Sequence, residues 1–266
     1  GEGVTGFMDK SSGRELLAPG AAPFFTPLYE RTAVRHPSID CCPEEHERRL
    51  LGRNIRGEHA ELHAARLEEV VCRERGDVFT ELELRYSLPG TVHCALFLKL
   101  YEAIPRIDLC LQLGKTLSSD IESVFLPLAL SLDDGQSLYL RKGAEAFRPG
   151  VDQIPGSCME FYMSDDGLAY VGSSGSLLVA SPDVPLIYMG EMRHHPIRLC
   201  DGAEENNRRP AYSWVMNNLW ETNFKMDLSG FGEYRYSLWL TPEADPEKAM
   251  DELHEHAFAP YTMITG

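Results

Sequence analysis

Amide and aromatic side chains are concentrated in one short stretch of the chain, in a combination that suits the binding of sugars. Residues 215–224 read VMNNLWETNF and include Asn217, Asn218, Trp220 and Asn223. Asparagine amides can donate to and accept from sugar hydroxyls, while an indole ring covers the apolar face of a sugar. The same side chains also suit a corner of a β-sandwich, in which amides cap turns and the Trp fills the core. The stretch therefore predicts either a carbohydrate contact or a structural corner.

Two adjacent histidines are the second candidate for function. His194 and His195 follow an apolar run at 186–189 and open a long polar stretch. Adjacent residues of a strand point to opposite faces, so at most one of the two would face a site. Anchoring of the loop is the alternative role, and their place at the start of a loop favours it.

Carboxylates and possible metal ligands are the third group. Glycoside hydrolysis usually needs two carboxylates placed across a sugar ring. Four acids lie near aromatic or turn-rich segments, where we expect them to be solvated strand or turn residues: Asp152, Glu160, Glu191 and Glu221. His59, Glu61 and His63 read H-x-E-x-H, which differs from the H-E-x-x-H of zinc proteases, and their charged surroundings favour solvated side chains over a metal site.

The cysteines indicate a reduced protein without a zinc motif. Seven are present, an odd number, and no two of them form a C-x-x-C pair. Most are interpreted as small core residues with free thiols, while the Cys41-Cys42 pair leaves a reactive or metal-binding site open. The sequence predicts no cofactor and no metal in this chain.

Composition excludes several classes of partner. The 266 residues carry a net charge of −16, whereas nucleic acids and anionic membranes both require a basic face. The sequence has no apolar run long enough for a bilayer and no signal peptide, which predicts a cytoplasmic location. Because it begins at Gly1 rather than Met, we expect it to be a piece of a longer protein.

Alternating hydrophobicity predicts a β-rich fold. Segments 78–88, 94–101 and 106–113 each place apolar residues on one face and polar residues on the other, and short turns join them into an antiparallel meander. Further hairpins are expected at the turn sequences 133–135, 165–167 and 173–175. Regular turns of this kind favour a sandwich or a barrel.

Three segments depart from the strand pattern. Residues 36–66 are charged and rich in His, which predicts a loop with a short helix, and residues 194–212 read as a long exposed loop. Near the C-terminus Asp245 is a plausible N-cap for a helix over 246–258. No linker or repeat is evident, so residues 1–266 are expected to form a single domain.

Several segments, in the same order, resemble the C-terminal β-domain of family 38 glycoside hydrolases, the α-mannosidase-like enzymes. The Asn-Asn-x-Trp-x-Thr-Asn run from Asn217 to Asn223 resembles that domain, with Lys115 and Glu122 at the places expected in its paired central strands. The remaining similar segments are 6–17, 106–115, 121–130 and 152–167. Residues 36–66 match nothing in the family, which places the chain in a divergent bacterial branch.

The resemblance implies an all-β fold, a large two-sheet antiparallel β-sandwich of the galactose mutarotase-like supersandwich type with one C-terminal helix. It also implies a non-catalytic domain, because the family's catalytic aspartate and zinc ligands belong to an upstream domain that this sequence does not resemble. Zinc would then reside in that catalytic domain, the covalent partner of this one, and the sugar would be mannoside-like. The residues implied to face carbohydrate or the catalytic domain are Asn217, Asn218, Trp220, Thr222, Asn223 and His194.

Two other functions remain open at this stage. A stand-alone aldose-mutarotase-like enzyme would need a His acid and a Glu base, for which His194 or His195 and Glu191 or Glu221 are the candidates. An independent carbohydrate-binding module would need only the amide and aromatic run.

Overall fold

The computed structural model describes residues 3–32, 60–118, 120–128, 130–131, 135–143, 145–193, 195, 197–218 and 227–257. Within these ranges the chain forms seventeen strands, an α-helix α1 (Pro246–Ala257) and a 3-10 helix (Glu204–Arg208). The strands are β1 (Met8–Asp9), β2 (Arg14–Glu15), β3 (Leu28–Thr32), β4 (Ala60–Ala64), β5 (Arg66–Arg75), β6 (Phe79–Ser87), β7 (Thr91–Tyr101), β8 (Arg106–Lys115), β9 (Ile121–Pro127), β10 (Ser137–Lys142), β11 (Glu145–Phe147), β12 (Phe161–Met163), β13 (Gly167–Gly172), β14 (Gly175–Ala180), β15 (Leu186–Met189), β16 (Ala211–Asn217) and β17 (Gly230–Thr241).

Nine of these strands form the larger sheet, in the order β11-β10-β13-β14-β17-β8-β7-β6-β5, and all of its pairings are antiparallel. The predicted meander lies in the second half of this sheet, where β6, β7 and β8 pair in sequence order. Their register aligns Leu84 with Leu96 and Leu96 with Leu111. Since alternate residues of a strand share a face, this register turns whole rows of leucine to one side of the sheet.

Six strands form the smaller sheet, in the order β12-β15-β16-β9-β3-β4, and these pairings are antiparallel as well. The inward faces of the two sheets pack on each other to form the main core. Buried residues from both sheets meet there, for example Leu111 and Tyr236 from the larger sheet and Val124 and Leu126 from the smaller. A fully buried Leu contributes about 1.5–3 kcal/mol, so these rows dominate the stability of the sandwich.

Helix α1 covers part of the outer face of the nine-stranded sheet. Its buried residues Ala249, Met250 and Leu253 pack on residues of β13 and β14 such as Leu178. Asp245 caps the helix, because its Oδ1 accepts a bond of 3.1 Å from the backbone N–H of Lys248. None of the helices that the structure describes is long and apolar enough to cross a membrane.

The predicted all-β sandwich with a C-terminal helix is therefore confirmed. Two of the predicted hairpins can be checked. The turn at 173–175 does join paired strands, β13 and β14. The turn at 165–167 does not, because it passes from β12 in the smaller sheet to β13 in the larger. Gly167 has a φ of +136°, and a Cβ at this position would collide with the carbonyl of Val179, so the glycine permits the close approach of β14 at the start of β13.

Three further expectations need correction. The segments 106–115 and 121–130 are not paired strands, because β8 and β9 lie in opposite sheets. Residues 60–64 form β4 rather than a loop, while residues 33–59 lie outside the described ranges. The stretch 194–212 is not simply an exposed loop, since it contains the 3-10 helix, the buried side chain of Asn207 and the start of β16.

Candidate functional site

The predicted amide run begins where β16 ends, at one end of the sandwich. Asn217 is half-buried and pairs with Ser123 of β9. Asn218 is buried, and its side-chain Oδ1 accepts a bond of 2.7 Å from the backbone N–H of Glu122. Its Nδ2 donates to the carbonyl of Asp120, also at 2.7 Å. The amide of Asn218 thus continues the pairing of β16 with β9 one residue beyond the end of β16.

The other predicted contact residues lie outside the part of the chain that the structure describes. These residues are His194, Trp220, Thr222 and Asn223. Their roles stay predictions, as does the role of Asn217.

A buried ion pair lies beneath this end of the sandwich. Lys115, the last residue of β8, places its Nζ 2.7 Å from Oε1 of Glu122 on β9, and both side chains are 1% exposed. Tyr29 of β3 donates its phenol to the same carboxylate oxygen. Lys115 also donates to the carbonyl of Thr116 at 3.1 Å. The pair joins the two sheets, and because solvent does not reach it, it holds the fold rather than meeting a substrate.

Electrostatics keep Tyr29 neutral in this cluster. Burial raises the pKa of its phenol, and the hydrogen bond to the Glu122 carboxylate and the charge of that group raise it further. The second oxygen of Glu122 has no hydrogen-bond partner within the described ranges. A buried, ionised carboxylate at this position needs the positive charge of Lys115 to offset the loss of its hydration.

Apolar side chains are exposed on the surface next to this ion pair. We define the apolar rim as Val92, Leu117 and Phe231, which are 81%, 74% and 64% exposed. Both Thr91 and Gly230 pair with Lys115, so the rim surrounds the end of β8. An exposed Phe close to other exposed apolar residues is a feature of interaction surfaces.

A second buried acid lies under the loop that follows β15. Glu160 is fully buried, and its Oε1 is 3.3 Å from Nδ1 of His195. The hydroxyl of Tyr188 is 3.4 Å from Nε2 of the same histidine and donates to the carbonyl of Glu191. Burial raises the pKa of Glu160, opposed in part by the charge of His195. The prediction that Glu160 is solvated is wrong.

Aromatic residues cover the outer face of the six-stranded sheet beside this pair. Phe125 and Trp214 stack with their ring centroids 5.6 Å apart and an interplanar angle of 13°. Phe161 and Tyr188 complete the cluster, in which Trp214 is 6% exposed. The sequence did contain a signal for this aromatic cluster. Its residues alternate along their strands with residues of the main core, so they face the other side of the sheet. Their burial depends on how the chain covers this face, which alternation does not report.

The remaining candidate residues, the possible metal ligands and the cysteines, do not come together in one site within the described ranges. Glu61 and His63 share a face of β4 with 3.5 Å between Oε2 and Nε2, while His59 lies outside the described ranges. Within those ranges no group of three His, Cys, Asp or Glu side chains is arranged to hold a metal. Cys94 is buried, and burial raises the pKa of its thiol to about 12, whereas Cys72 is exposed.

The acids proposed for chemistry are largely paired with arginines. Asp152 binds Arg148 at 3.0 Å, and Arg198 approaches Glu191 at 3.3 Å. Glu221 lies outside the described residues.

Comparison with known proteins identifies the fold. No protein-family model matches the chain, and no curated protein matches it in sequence. Among solved structures, an alpha-mannosidase from Enterococcus faecalis V583 superposes on 94% of the chain with a TM-score of 0.57 and 8% identity. The chain spans only 29% of the length of that protein. A putative aldose 1-epimerase from Escherichia coli K12 is more distant, with a TM-score of 0.38 and 8% identity over 66% of this chain and 69% of that one.

These findings define the class of protein. The chain is an antiparallel two-sheet β-sandwich that shares its fold with part of the α-mannosidase. At 8% identity this likeness concerns the fold alone.

Proposed function

We propose that the chain is a non-catalytic β-sandwich domain of an α-mannosidase-like glycoside hydrolase, which packs against a catalytic domain of the same polypeptide. The observation that carries the proposal is the superposition of nearly the whole chain on a minor part of a much longer α-mannosidase. The ordered sequence resemblance to family 38 supports the same relation. Zinc and the catalytic aspartate would then belong to the other domain.

The apolar rim is the surface we assign to that packing. Its three residues surround the end of β8, near the end of β16. Burying an exposed Phe or Val against a partner contributes about 25 cal/mol per Å² of apolar area, which gives the rim a physical reason to be covered. The rigid ion pair of Lys115 and Glu122 beneath it keeps the surface in one shape.

Assays of a longer polypeptide test the parent activity. The reading frame extended upstream of Gly1 should yield a protein that hydrolyses an aryl α-mannoside and loses this activity to a zinc chelator. Residues 1–266 alone should show no hydrolysis. Hydrolysis by residues 1–266 alone, or an extended protein with no glycosidase activity, would contradict the proposal.

Variants of the rim test the packing surface separately. In the extended polypeptide, Phe231→Ser should lower the melting temperature, whereas in residues 1–266 the same change should have little effect. Val78→Ser is the matched control, because Val78 is 68% exposed but lies at the opposite end of the nine-stranded sheet. Equal effects of the two substitutions in the extended polypeptide would remove the rim from the proposal.

Carbohydrate contact by the amide run is the second part of the proposal. Stacking on one aromatic ring contributes about 0.5–1.5 kcal/mol, so binding of methyl α-mannoside by residues 1–266 is expected at about millimolar affinity. Trp220→Ala and Asn217→Ala should each weaken it in a calorimetric titration. Binding by the fragment that survives both changes would place the sugar elsewhere.

One observation favours an alternative, a mutarotase-like enzyme. His195 and Glu160 form an acid–base pair of the kind that interconversion of anomers requires. The Glu160 side chain is fully buried, however, and that of His195 is only 10% exposed, so a sugar would have to displace neighbouring residues to reach the carboxylate. Acceleration of anomer exchange in NMR spectra, abolished by His195→Ala, would support this alternative; we expect no acceleration.

A further inference from the structure

A cleft of about 450 Å³ opens at the other end of the six-stranded sheet from Asn217. Its walls are the loop 18–22, the end of β9, the start of β10 and the segment 207–212. Small-molecule sites typically have volumes of about 300–1,000 Å³, so the cleft can hold a monosaccharide or a molecule of similar size. The described lining includes none of the apolar rim residues and neither Glu160 nor His195.

Two polar side chains make one wall of the cleft rigid. The Asn207 amide accepts from the backbone N–H of Leu138 at 2.7 Å and donates to the carbonyls of Leu138 and Pro149 at 3.0 and 3.2 Å. Arg209 donates through Nη1 to the carbonyl of Met189 at 2.9 Å. A wall held this way keeps its shape without a ligand, which lowers the entropy cost of binding.

The described residues that line the cleft differ in charge from the protein as a whole. The chain has a net charge of −16, yet the described residues that line the cleft include two arginines and no carboxylate. Arg209 directs its donors to backbone carbonyls. Within the described ranges the exposed guanidinium of Arg208 has no hydrogen-bond or ion-pair partner, and the nearby Glu204 instead binds Arg148 at 2.7 Å.

We propose that this cleft binds an anionic saccharide, one that carries a carboxylate or a phosphate. The planar guanidinium of Arg208 presents parallel donors that match either group in a bidentate contact. The Ser131 hydroxyl lines the same cleft and can bond a sugar hydroxyl. Alanine and proline side chains, such as Ala21 and Pro127, offer C–H surfaces to the sugar ring. The site does not depend on the proposed catalytic partner.

Calorimetric titration of residues 1–266 at low ionic strength tests the site, with glucose 6-phosphate and glucuronate as probes. Glucose and inorganic phosphate are the matched controls for the two halves of the ligand. We expect at least one acidic sugar to bind more tightly than either control. Arg208→Ala should weaken that binding about tenfold or more, and Arg208→Lys should weaken it less.

Arg75→Ala is the matched control variant, because it removes the same charge from an exposed arginine at the far edge of the nine-stranded sheet. It should leave binding unchanged. No binding of either acidic sugar, equal binding of inorganic phosphate, or equal losses in the Arg208 and Arg75 variants would each overturn the proposal. Failure of the mannoside and hydrolase experiments would leave these expectations intact, so the two proposals can fail separately.

Discussion

Asn217 and Asn218 show how adjacent residues of one type take different structural positions. The amide of Asn218 bonds the backbone on both sides of Ile121 and is buried, whereas Asn217 sits at the end of the strand and is half-buried. An amide that bonds a buried and a partly buried backbone group leaves both without this partner when it is removed. The proposed carbohydrate contact is therefore assigned to Asn217 and to the residues beyond Asn218.

This division predicts opposite results for two alanine variants. Asn218→Ala should lower the free energy of unfolding by about 1–3 kcal/mol, because the buried N–H of Glu122 and the partly buried carbonyl of Asp120 lose their partner. Asn217→Ala should change it by about 0.5 kcal/mol or less. Urea denaturation followed by fluorescence measures both. An Asn218 variant as stable as the native chain would show that its amide bonds contribute little.

Glu160 predicts a specific dependence of stability on pH. Burial raises the pKa of its carboxyl, so the folded chain favours the neutral acid. A group with a raised folded-state pKa stabilises below its unfolded pKa, about 4.3 for Glu, and loses this contribution as the pH rises through the folded value. The stability of Glu160→Gln relative to the native chain should therefore increase from pH 4 upward and then level off.

Asp152→Asn is the control of opposite sign for this measurement. The hydrogen bonds and charge of Arg148 hold the pKa of Asp152 below its usual value, so the native carboxylate stabilises the fold above the unfolded pKa. The relative stability of Asp152→Asn should fall as the pH rises. Urea unfolding at several pH values compares the variants, and parallel curves for both would refute the assignment for Glu160.

Among the elements, helix α1 shows how a short amphipathic segment closes an exposed sheet face. Its apolar side packs on β13 and β14. Polar side chains of the helix make further contacts with residues outside it. Trp239 donates its indole N–H to Glu252 at 2.7 Å, and His254 lies 2.8 Å from Asp166. The helix therefore belongs to the sandwich rather than to a separate tail.

Substitutions along α1 should separate capping from packing. Asp245→Ala removes the N-cap and should cost about 1 kcal/mol. Leu253→Ala removes a fully buried side chain and should cost about 2–5 kcal/mol. Glu255→Ala changes an exposed position of the same helix and should stay within about 0.5 kcal/mol. Thermal or urea unfolding gives the ranking, and a neutral Leu253 variant would mean that α1 does not stabilise the sheet.

For the molecule as a whole, the ion pair of Lys115 and Glu122 is one of the buried polar links between the two sheets, beside the hydrogen bond of 2.9 Å between Ser213 of β16 and Tyr236 of β17. A buried pair repays its desolvation only while both partners are present. Together with the shared core, this link makes us expect that residues 1–266 unfold as one domain. Fluorescence and far-UV circular dichroism should then report coincident transitions.

Breaking that link should be costly. Lys115→Met leaves the Glu122 carboxylate buried without its counter-charge and should lower the free energy of unfolding by about 3–5 kcal/mol. Lys99→Met is the matched control, since Lys99 is 3.8 Å from Glu81 on the exposed face of the same sheet and should cost about 0–1 kcal/mol. If the two variants were equally stable, the buried pair would not hold the sheets together.

Much of this architecture was readable in the sequence. Alternation over 78–113 predicted β6, β7 and β8 and their inward rows, because period-two patterning and burial of one sheet face are the same constraint. Asp245 marked the start of α1, since capping is a local property of a few residues. The family resemblance correctly pointed to a two-sheet sandwich.

Only the tertiary structure decided which sheet each strand joins and which polar residues are buried. Alternation is identical for paired strands and for strands in opposite sheets, so the separation of β8 from β9 and the crossing at 165–167 were not readable. Glu160 was expected to be solvated, because its partner His195 is distant in the sequence, and for the same reason nothing local distinguished the two roles that the sequence left open for Asn218. Burial is a property of long-range packing, and local composition does not contain it.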